Sequence, residues 1–416
     1  YKKTKGNPFY IRQFLRLCHT NGYLDLDMDT GVWSWDEAGI KSCPAQENVV
    51  DFLLGHMDQF SEETLSLLSV GACVGQSFSA EDLAAVCGLP ESEIDRRLVV
   101  AVGQEAVIPI GKNVRTCRQT RYQFAHDRFQ QVFYTVLSRK ERAGIHYRLG
   151  RRCEEKAVLE GDSDERLFEI ADHYARGIEE AADRNESRRI QELLLKAAVR
   201  CGLVSAFDTA ARYLELILSQ PELEQSENRG FLIRTYMEYH TVLCNLVKVS
   251  ECDRIYGLLC DMVKHPVELV DSCCMQISSL CNRGEYEDAF RIGLTLLEQM
   301  GVSFPHQDFE ATMEREIALF YQEQEALGDG GIRNLSEAKG PLERGIGKLL
   351  CRIYGPFFFY KPHHSYWTVI AAARRMLRYG YTPHTLQMYS NLMMLLGEVR
   401  RDYRTSYEAA RTAMQL

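Results

Sequence analysis

Residues 205–218, SAFDTAARYLELIL, and residues 284–297, GEYEDAFRIGLTLL, are two copies of one pattern. Each opens with a turn residue and an acidic residue. Each then sets a small side chain and an aromatic on one face of a helix, Ala210 and Tyr213 in the first, Tyr286 and Ala289 in the second. Apolar residues recurring at three and four positions read as an amphipathic helix rather than a strand. The same helical period runs through almost everything from Arg139 onwards, interrupted by Gly, Pro and Asp/Asn clusters. The chain is therefore expected to be mostly α.

A weaker copy begins at Ser250-Glu251-Cys252-Asp253, 34 residues before Gly284, and the pattern restarts at Asp402–Tyr407. A period of 34 is that of a tetratricopeptide repeat, so residues 151–416 are expected to form a TPR-like α-solenoid. An irregular solenoid is the alternative. Stacked helix pairs carry no chemistry of their own and usually hold a protein, peptide or small ligand. The run Tyr354, Phe357, Phe358, Phe359, Tyr360, Tyr366 and Trp367 with His363 and His364 reads first as core packing and second as a pocket lining. The stretch Ile353–Tyr360 is broken by Gly355 and Pro356.

Working back towards the N-terminus, residues 48–137 read as helices followed by two strands and a helix. Asn48 opens the first, and Ser61 caps the next, with Glu62 and Glu63 at its positive end. Ser79-Ala80-Glu81-Asp82 has capping-box spacing and starts a helix ending at Gly88. Pro90 opens another. Val107–Ile110, a turn at Gly111-Lys112-Asn113 and a strand near Tyr122–Phe124 complete three helices and a two-stranded wing, the winged variant of helix-turn-helix, over residues 48–150. The helix Glu91–Gln104 carries Glu91, Glu93 and Asp95 against Arg96 and Arg97, a balance that argues against DNA reading. Lys112, Arg115, Arg118 and Arg121 on the wing offer the basic alternative.

Residues 1–47 read as an end-piece. Pro8 suits a first helical turn with Asn7 as its cap. Phe9, Ile11, Phe14, Leu15, Leu17 and Cys18 make a stripe that expects a partner N-terminal to Tyr1. Gly22 stops the helix, and a short strand-turn segment runs to Trp33 and Trp35.

Composition sets further limits. A chain of 416 residues with 45% apolar and 26% charged residues is globular and long enough for two or three domains. The net charge of −9 argues against a protein dominated by nucleic acid. No uncharged apolar run approaches the roughly 20 residues that cross a bilayer, so a cytoplasmic protein without membrane contact is expected. The 14 cysteines include no C-x-x-C pair. Neither a zinc site nor a redox dithiol is therefore indicated, and Cys252 and Cys260 are spaced for helix packing. No P-loop, kinase glycine loop, zinc-protease signature or nucleophile turn is present, so no catalytic residue is assigned.

Two strings nevertheless stand out: Lys5-Gly6-Asn7-Pro8-Phe9-Tyr10 and Phe124-Ala125-His126-Asp127-Arg128-Phe129. Together they make the chain similar to the signal-transducing ATPases with numerous domains, the STAND class. More narrowly, it resembles the bacterial subgroup that joins a kinase-like region, this ATPase, a helical array and a histidine-kinase or cyclase output. The lid of that subgroup begins G-N-P-[FL], matched by Gly6, Asn7, Pro8 and Phe9. Its winged helix ends F-x-H-D-R-x-Q-x-x-x-Y, matched by Phe124, His126, Asp127, Arg128, Gln130 and Tyr134.

The resemblance implies that Gly6, Asn7, Pro8, His126 and Asp127 serve ADP or ATP with Mg in a full-length parent, while this segment alone binds none. Pro8 would pack near the adenine or ribose. His126 would contact the β-phosphate of ADP, with Asp127 capping the next helix and holding it. The implied partners are an ATPase core before Tyr1, an output domain after Leu416, and a signal protein or small ligand on the array. A STAND-type transcription regulator and a non-catalytic scaffold are the alternatives. A histidine beside a local backbone group, with an aspartate as an ordinary cap, is the plain structural reading of the same two residues.

Overall fold

The computed structural model describes residues 6, 8–42, 60–112, 119–160, 164–220, 228–328 and 331–413. Asn7, the helix expected from Asn48 and the basic residues Arg115 and Arg118 lie outside them. The chain divides into two compact units, Tyr1–Leu194 and Leu195–Leu416. The fold is mostly α, with a solenoid-like array, as the helical periodicity requires.

The first unit opens with α1 (Pro8–Thr20), a hairpin of β1 (Leu24–Leu26) and β2 (Trp33–Trp35), and α2 (Glu37–Ser42). Cys18 is buried on α1, while Ile11 and Leu15 stay largely exposed. Next come α3 (Glu62–Val74), β3 (Ser77–Ser79), α4 (Ala80–Cys87), α5 (Glu91–Gly103), β4 (Val107–Lys112) and β5 (Gln119–Phe124). The expected caps are in place. Ser61 Oγ accepts from Thr64 N and Ser79 Oγ from Asp82 N, and Gly88 ends α4 in the left-handed conformation.

The expected two-stranded wing is one strand short. β3 pairs with β5, Phe78 opposite Tyr122, giving an antiparallel sheet in the order β3-β5-β4. Three residues are too few to display strand alternation, so the sequence hid β3. Phe78, Tyr122, Phe124 and Phe133 join Leu67, Leu68, Leu83, Ile94 and Leu98 in one core. The unit continues with α6 (Asp127–Val136), α7 (Arg139–Glu160) and α8 (Asp164–Gly177), and α9 (Arg184–Leu203) spans the division between units.

The second unit is a run of helical hairpins: α10 (Phe207–Leu218), α11 (Arg229–Asn245), α12 (Val249–Met262), α13 (Val270–Asn282) and α14 (Tyr286–Gln299). Three turns, after α9, α11 and α13, share one geometry. Ser205, Val247 and Gly284 each take positive φ, at 61°, 57° and 77°. The next residue, Ala206, Lys248 or Glu285, donates its N–H to a carbonyl five residues back, Cys201, Leu243 or Leu280, at 2.8, 3.1 and 2.9 Å. This satisfies the orphan carbonyls of the outgoing helix and launches the next.

The turns also fix the register. From 205 to 247 is 42 residues and from 247 to 284 is 37. The weak copy is thus aligned on Val247, three residues before the expected Ser250, and the strict period of 34 is replaced by an irregular one. Five residues past each turn sits a fully buried small side chain: Ala210, Cys252 and Ala289.

The array ends with α15 (Phe309–Ala326), α16 (Pro341–Tyr360), α17 (Pro362–Tyr379), α18 (Pro383–Ser390), α19 (Leu392–Met394), a π-helical turn at Leu395–Val399 and α20 (Tyr403–Ala413). Gly355 and Pro356 lie inside α16 without ending it. Ile353, Pro356 and Phe357 are buried there, and packing against α17 outweighs the lost backbone hydrogen bond.

Candidate functional site

His126 and Asp127 stand where β5 hands over to α6. The junction is anchored from behind. Phe124 and Phe129 are buried, Gln76 Nε2 donates to Phe124 O at 3.0 Å, and Ala125 N donates to Ala106 O at 3.0 Å. His126 is extended, with φ −152° and ψ 148°, and its Nδ1 accepts the N–H of Arg128 at 3.1 Å. The helix cap is therefore His126 and not Asp127. The aspartate is the first helical residue, too late to reach back to the orphan amides, and its carboxylate lies beside His126 Nδ1 instead.

Nδ1 faces both the N–H of Arg128 and the Asp127 carboxylate, so these local contacts of the ring are made through that one nitrogen. The His126 side chain is half-buried and that of Asp127 exposed, at the positive end of α6.

Of the other residues of the F-x-H-D-R-x-Q-x-x-x-Y string, Arg128 is exposed, and Phe124, Gln130 and Tyr134 are occupied inside the fold. Gln130 Nε2 donates to Ala72 O on α3 at 2.8 Å, and the hydroxyl of Tyr134 lies 3.1 Å from His146 Nε2 on α7. His146 Nδ1 is 3.0 Å from His173 Nδ1 on α8. Burial pushes both imidazoles down, His146 to about 3 and His173 to about 4. His173 also meets Cys153 and Glu169, with donor atoms within 4.8 Å of one another. Burial pushes the Cys153 thiol up to about 12, which keeps it protonated and unreactive. The sequence did not display this cluster, since its members come from three helices and share no spacing signature.

Gly6, at φ 79°, and the exposed Pro8 lie at the start of α1. α1 meets the α5–β4 turn, where Arg16 donates to Gly103 O at 3.2 Å and Arg12 pairs with Glu105 at 3.1 Å. These guanidiniums sit at the negative end of α5.

On α5 itself, Arg96 and Arg97 both bond Glu93, which holds that carboxyl down at about 2, with Arg96 the larger cause. Arg97 also pairs with Glu63 at 3.3 Å.

In the second unit the aromatic run divides. Phe357 and Trp367 are buried and Phe304, Phe357 and His364 stack, whereas Phe359 is 73% exposed and stacks on Tyr286. Core packing thus accounts for Phe357 and Trp367, while Phe358, Phe359 and Tyr360 are exposed. A cleft of about 360 Å³ opens between Arg333, Arg411, Glu408 and Tyr389. No helix among the described residues is long and apolar enough to cross a membrane.

The chain is similar to hybrid signal transduction histidine kinase G of Dictyostelium discoideum, 22% identical over 354 residues. The match covers 72% of this chain and 10% of that protein, so the chain spans about a tenth of the length of the curated relative it matches. No family model and no solved structure matches the chain.

Proposed function

We propose that this chain is the regulatory and sensing segment of a multidomain, nucleotide-switched signalling protein of the STAND type. In this reading residues 1–47 end the ATPase module, 48–150 form a winged-helix domain and 151–416 a TPR-like sensor array. The observation that carries it is the division of labour within the F-x-H-D-R-x-Q-x-x-x-Y string at the β5–α6 junction. Phe124, Gln130 and Tyr134 are held within the fold, while the half-buried imidazole of His126 stands at the N-terminus of α6.

A rigidly mounted imidazole donor at a helix N-terminus fits a phosphate oxygen, which is the contact the resemblance assigns to it. ADP, or ATP with Mg, would be supplied by an ATPase core in the parent protein. His126 would hold the winged domain in its resting place, Asp127 would orient the imidazolium, and Pro8 would pack near the base or sugar. The array would bias that position by binding a signal, and the cleft at Arg333 and Arg411 suits an anionic ligand. The pairing of Arg96 and Arg97 with Glu93 favours a regulatory over a DNA-reading role for α5. Similarity to a hybrid histidine kinase supports a signalling setting and a histidine-kinase output.

The test is ADP retention by the parent protein with its ATPase core, wild type against His126→Ala. Release at least roughly tenfold faster from the variant upholds the reading, since a charge-assisted contact is worth about 1.5–3 kcal/mol. A parent that binds no nucleotide, or a variant that releases it at the wild-type rate, overturns it.

A further inference from the structure

Cys252 occupies the position that Ala210 and Ala289 hold in the neighbouring hairpins, so packing there asks only for a small side chain. The sulfur has company. His240 and Cys244, one turn apart on α11, face it, and their ligand atoms and that of Cys252 lie within 4.8 Å of one another. Cys244 Sγ is 2.8 Å from Cys252 Sγ and 3.6 Å from His240 Nε2.

A fourth donor comes from α13. Gln276 Oε1 is 2.9 Å from His240 Nε2 and 3.4 Å from Cys252 Sγ. Its orientation is fixed, because Gln276 Nε2 donates to Asp253 Oδ1 at 2.5 Å and Asp253 is gripped by both terminal nitrogens of Arg283 at 2.9 and 3.2 Å. His240, Cys252 and Gln276 are buried, and Cys244 is partly so.

The two sulfurs are too close for unbonded thiols and too far for a bond of about 2.05 Å. A tetrahedral ion with nitrogen and oxygen at about 2.0–2.1 Å and sulfur at about 2.3 Å spaces its ligand atoms roughly 3.3–3.8 Å apart. The nitrogen–sulfur and sulfur–oxygen separations already have that size. The sulfur–sulfur and nitrogen–oxygen pairs need to open by about 1 Å or less.

We infer that His240, Cys244, Cys252 and the Gln276 carbonyl oxygen form a buried structural site for a zinc-class divalent ion. Binding displaces one proton from each thiol to solvent. His240 binds as neutral imidazole through Nε2, its proton moving to Nδ1, and nothing is oxidised or reduced. Two thiolates neutralise the ion, so its burial leaves no net charge. All four places are taken by protein, which is the pattern of a structural rather than catalytic ion. It ties α11, α12 and α13 together where two hairpins meet.

The test uses the 416-residue chain, made without a metal-binding tag and kept reduced. Zinc is counted by mass spectrometry of the metal, and the stripped protein is then titrated with cobalt(II). The expected result is one ion per chain, with a thiolate-to-cobalt charge-transfer band and tetrahedral d–d bands. Cys244→Ser and Cys252→Ser each abolish the sulfur band, and Cys260→Ser leaves it. Asp253→Ala, which removes the acceptor that holds Gln276, weakens zinc binding by about 10–100-fold. Cys244→Ser, at the less buried position, carries the comparison where Cys252→Ser does not fold. Absence of bound metal, a cobalt spectrum without a sulfur band, metal retained in both serine variants, or a Cys244–Cys252 disulfide in the reduced preparation overturns the site.

Discussion

Val247 takes the same left-handed backbone conformation as Gly284, φ 57° against 77°, at the same place in two successive hairpin turns. Glycine takes it without a steric cost, and a β-branched residue does not. The Val247 side chain is 75% exposed, so packing returns little. Val247→Gly is expected to stabilise the array by about 1 kcal/mol, after discounting the extra freedom glycine gives the unfolded chain. A rise of a few degrees in thermal midpoint checks this, and an unchanged or lower midpoint contradicts it.

The His146–His173 pair makes the first unit sensitive to mild acid. Burial is the largest cause of both depressed values. His173, Arg176 and Arg142 then add to it at His146, and Arg176 at His173, against an opposing pull from Asp172 and Asp82. Folded, both rings stay neutral down to about 4, while the unfolded chain protonates them below about 6.5. The unfolded state then binds more protons, so stability is unaffected above about pH 6.5 and falls as pH drops from there towards 4. The slope is about 1.4 kcal/mol per pH unit for each histidine. Urea midpoints at about pH 7.5 and 5.5 measure it. Equal midpoints, or a slope that survives His146→Gln with His173→Gln, reject it.

Arg374 is 7% exposed and is shared by two carboxylates, Glu323 at 2.7 and 3.2 Å and Glu316 beside it. Its removal strands Glu316 and leaves Glu323 with the half-exposed Arg378 alone, so Arg374→Met is expected to cost about 3–5 kcal/mol. Arg378, whose side chain is 48% exposed, contacts only Glu323 among the described acids. Arg378→Ala is expected to cost less than about 1 kcal/mol. Denaturant unfolding ranks the two, and equal losses contradict the difference in burial.

The local elements were legible where one segment carries its own instruction. Ser61, Ser79 and Gly88 announce helix ends through backbone groups that only short-range side chains or left-handed residues can satisfy. His126 was singled out by its string, but its capping role was assigned to Asp127, because residue types do not say which of two neighbours reaches the amides. The strand Ser77–Ser79 was invisible, since its reason for being extended is Gln123 and Tyr122, more than forty residues away.

The sequence by itself determined that the chain is mostly helical, where most helices begin, and which small and apolar residues line the array, because helical period and capping are properties of neighbours in the chain. Only the tertiary structure decided the repeat register, the third strand and the meeting of Tyr134, His146 and His173. It alone brought Cys252 to His240, Cys244 and Gln276. These depend on which helix faces meet across turns of unequal length, and the energy that chooses them is the burial of side chains far apart in sequence.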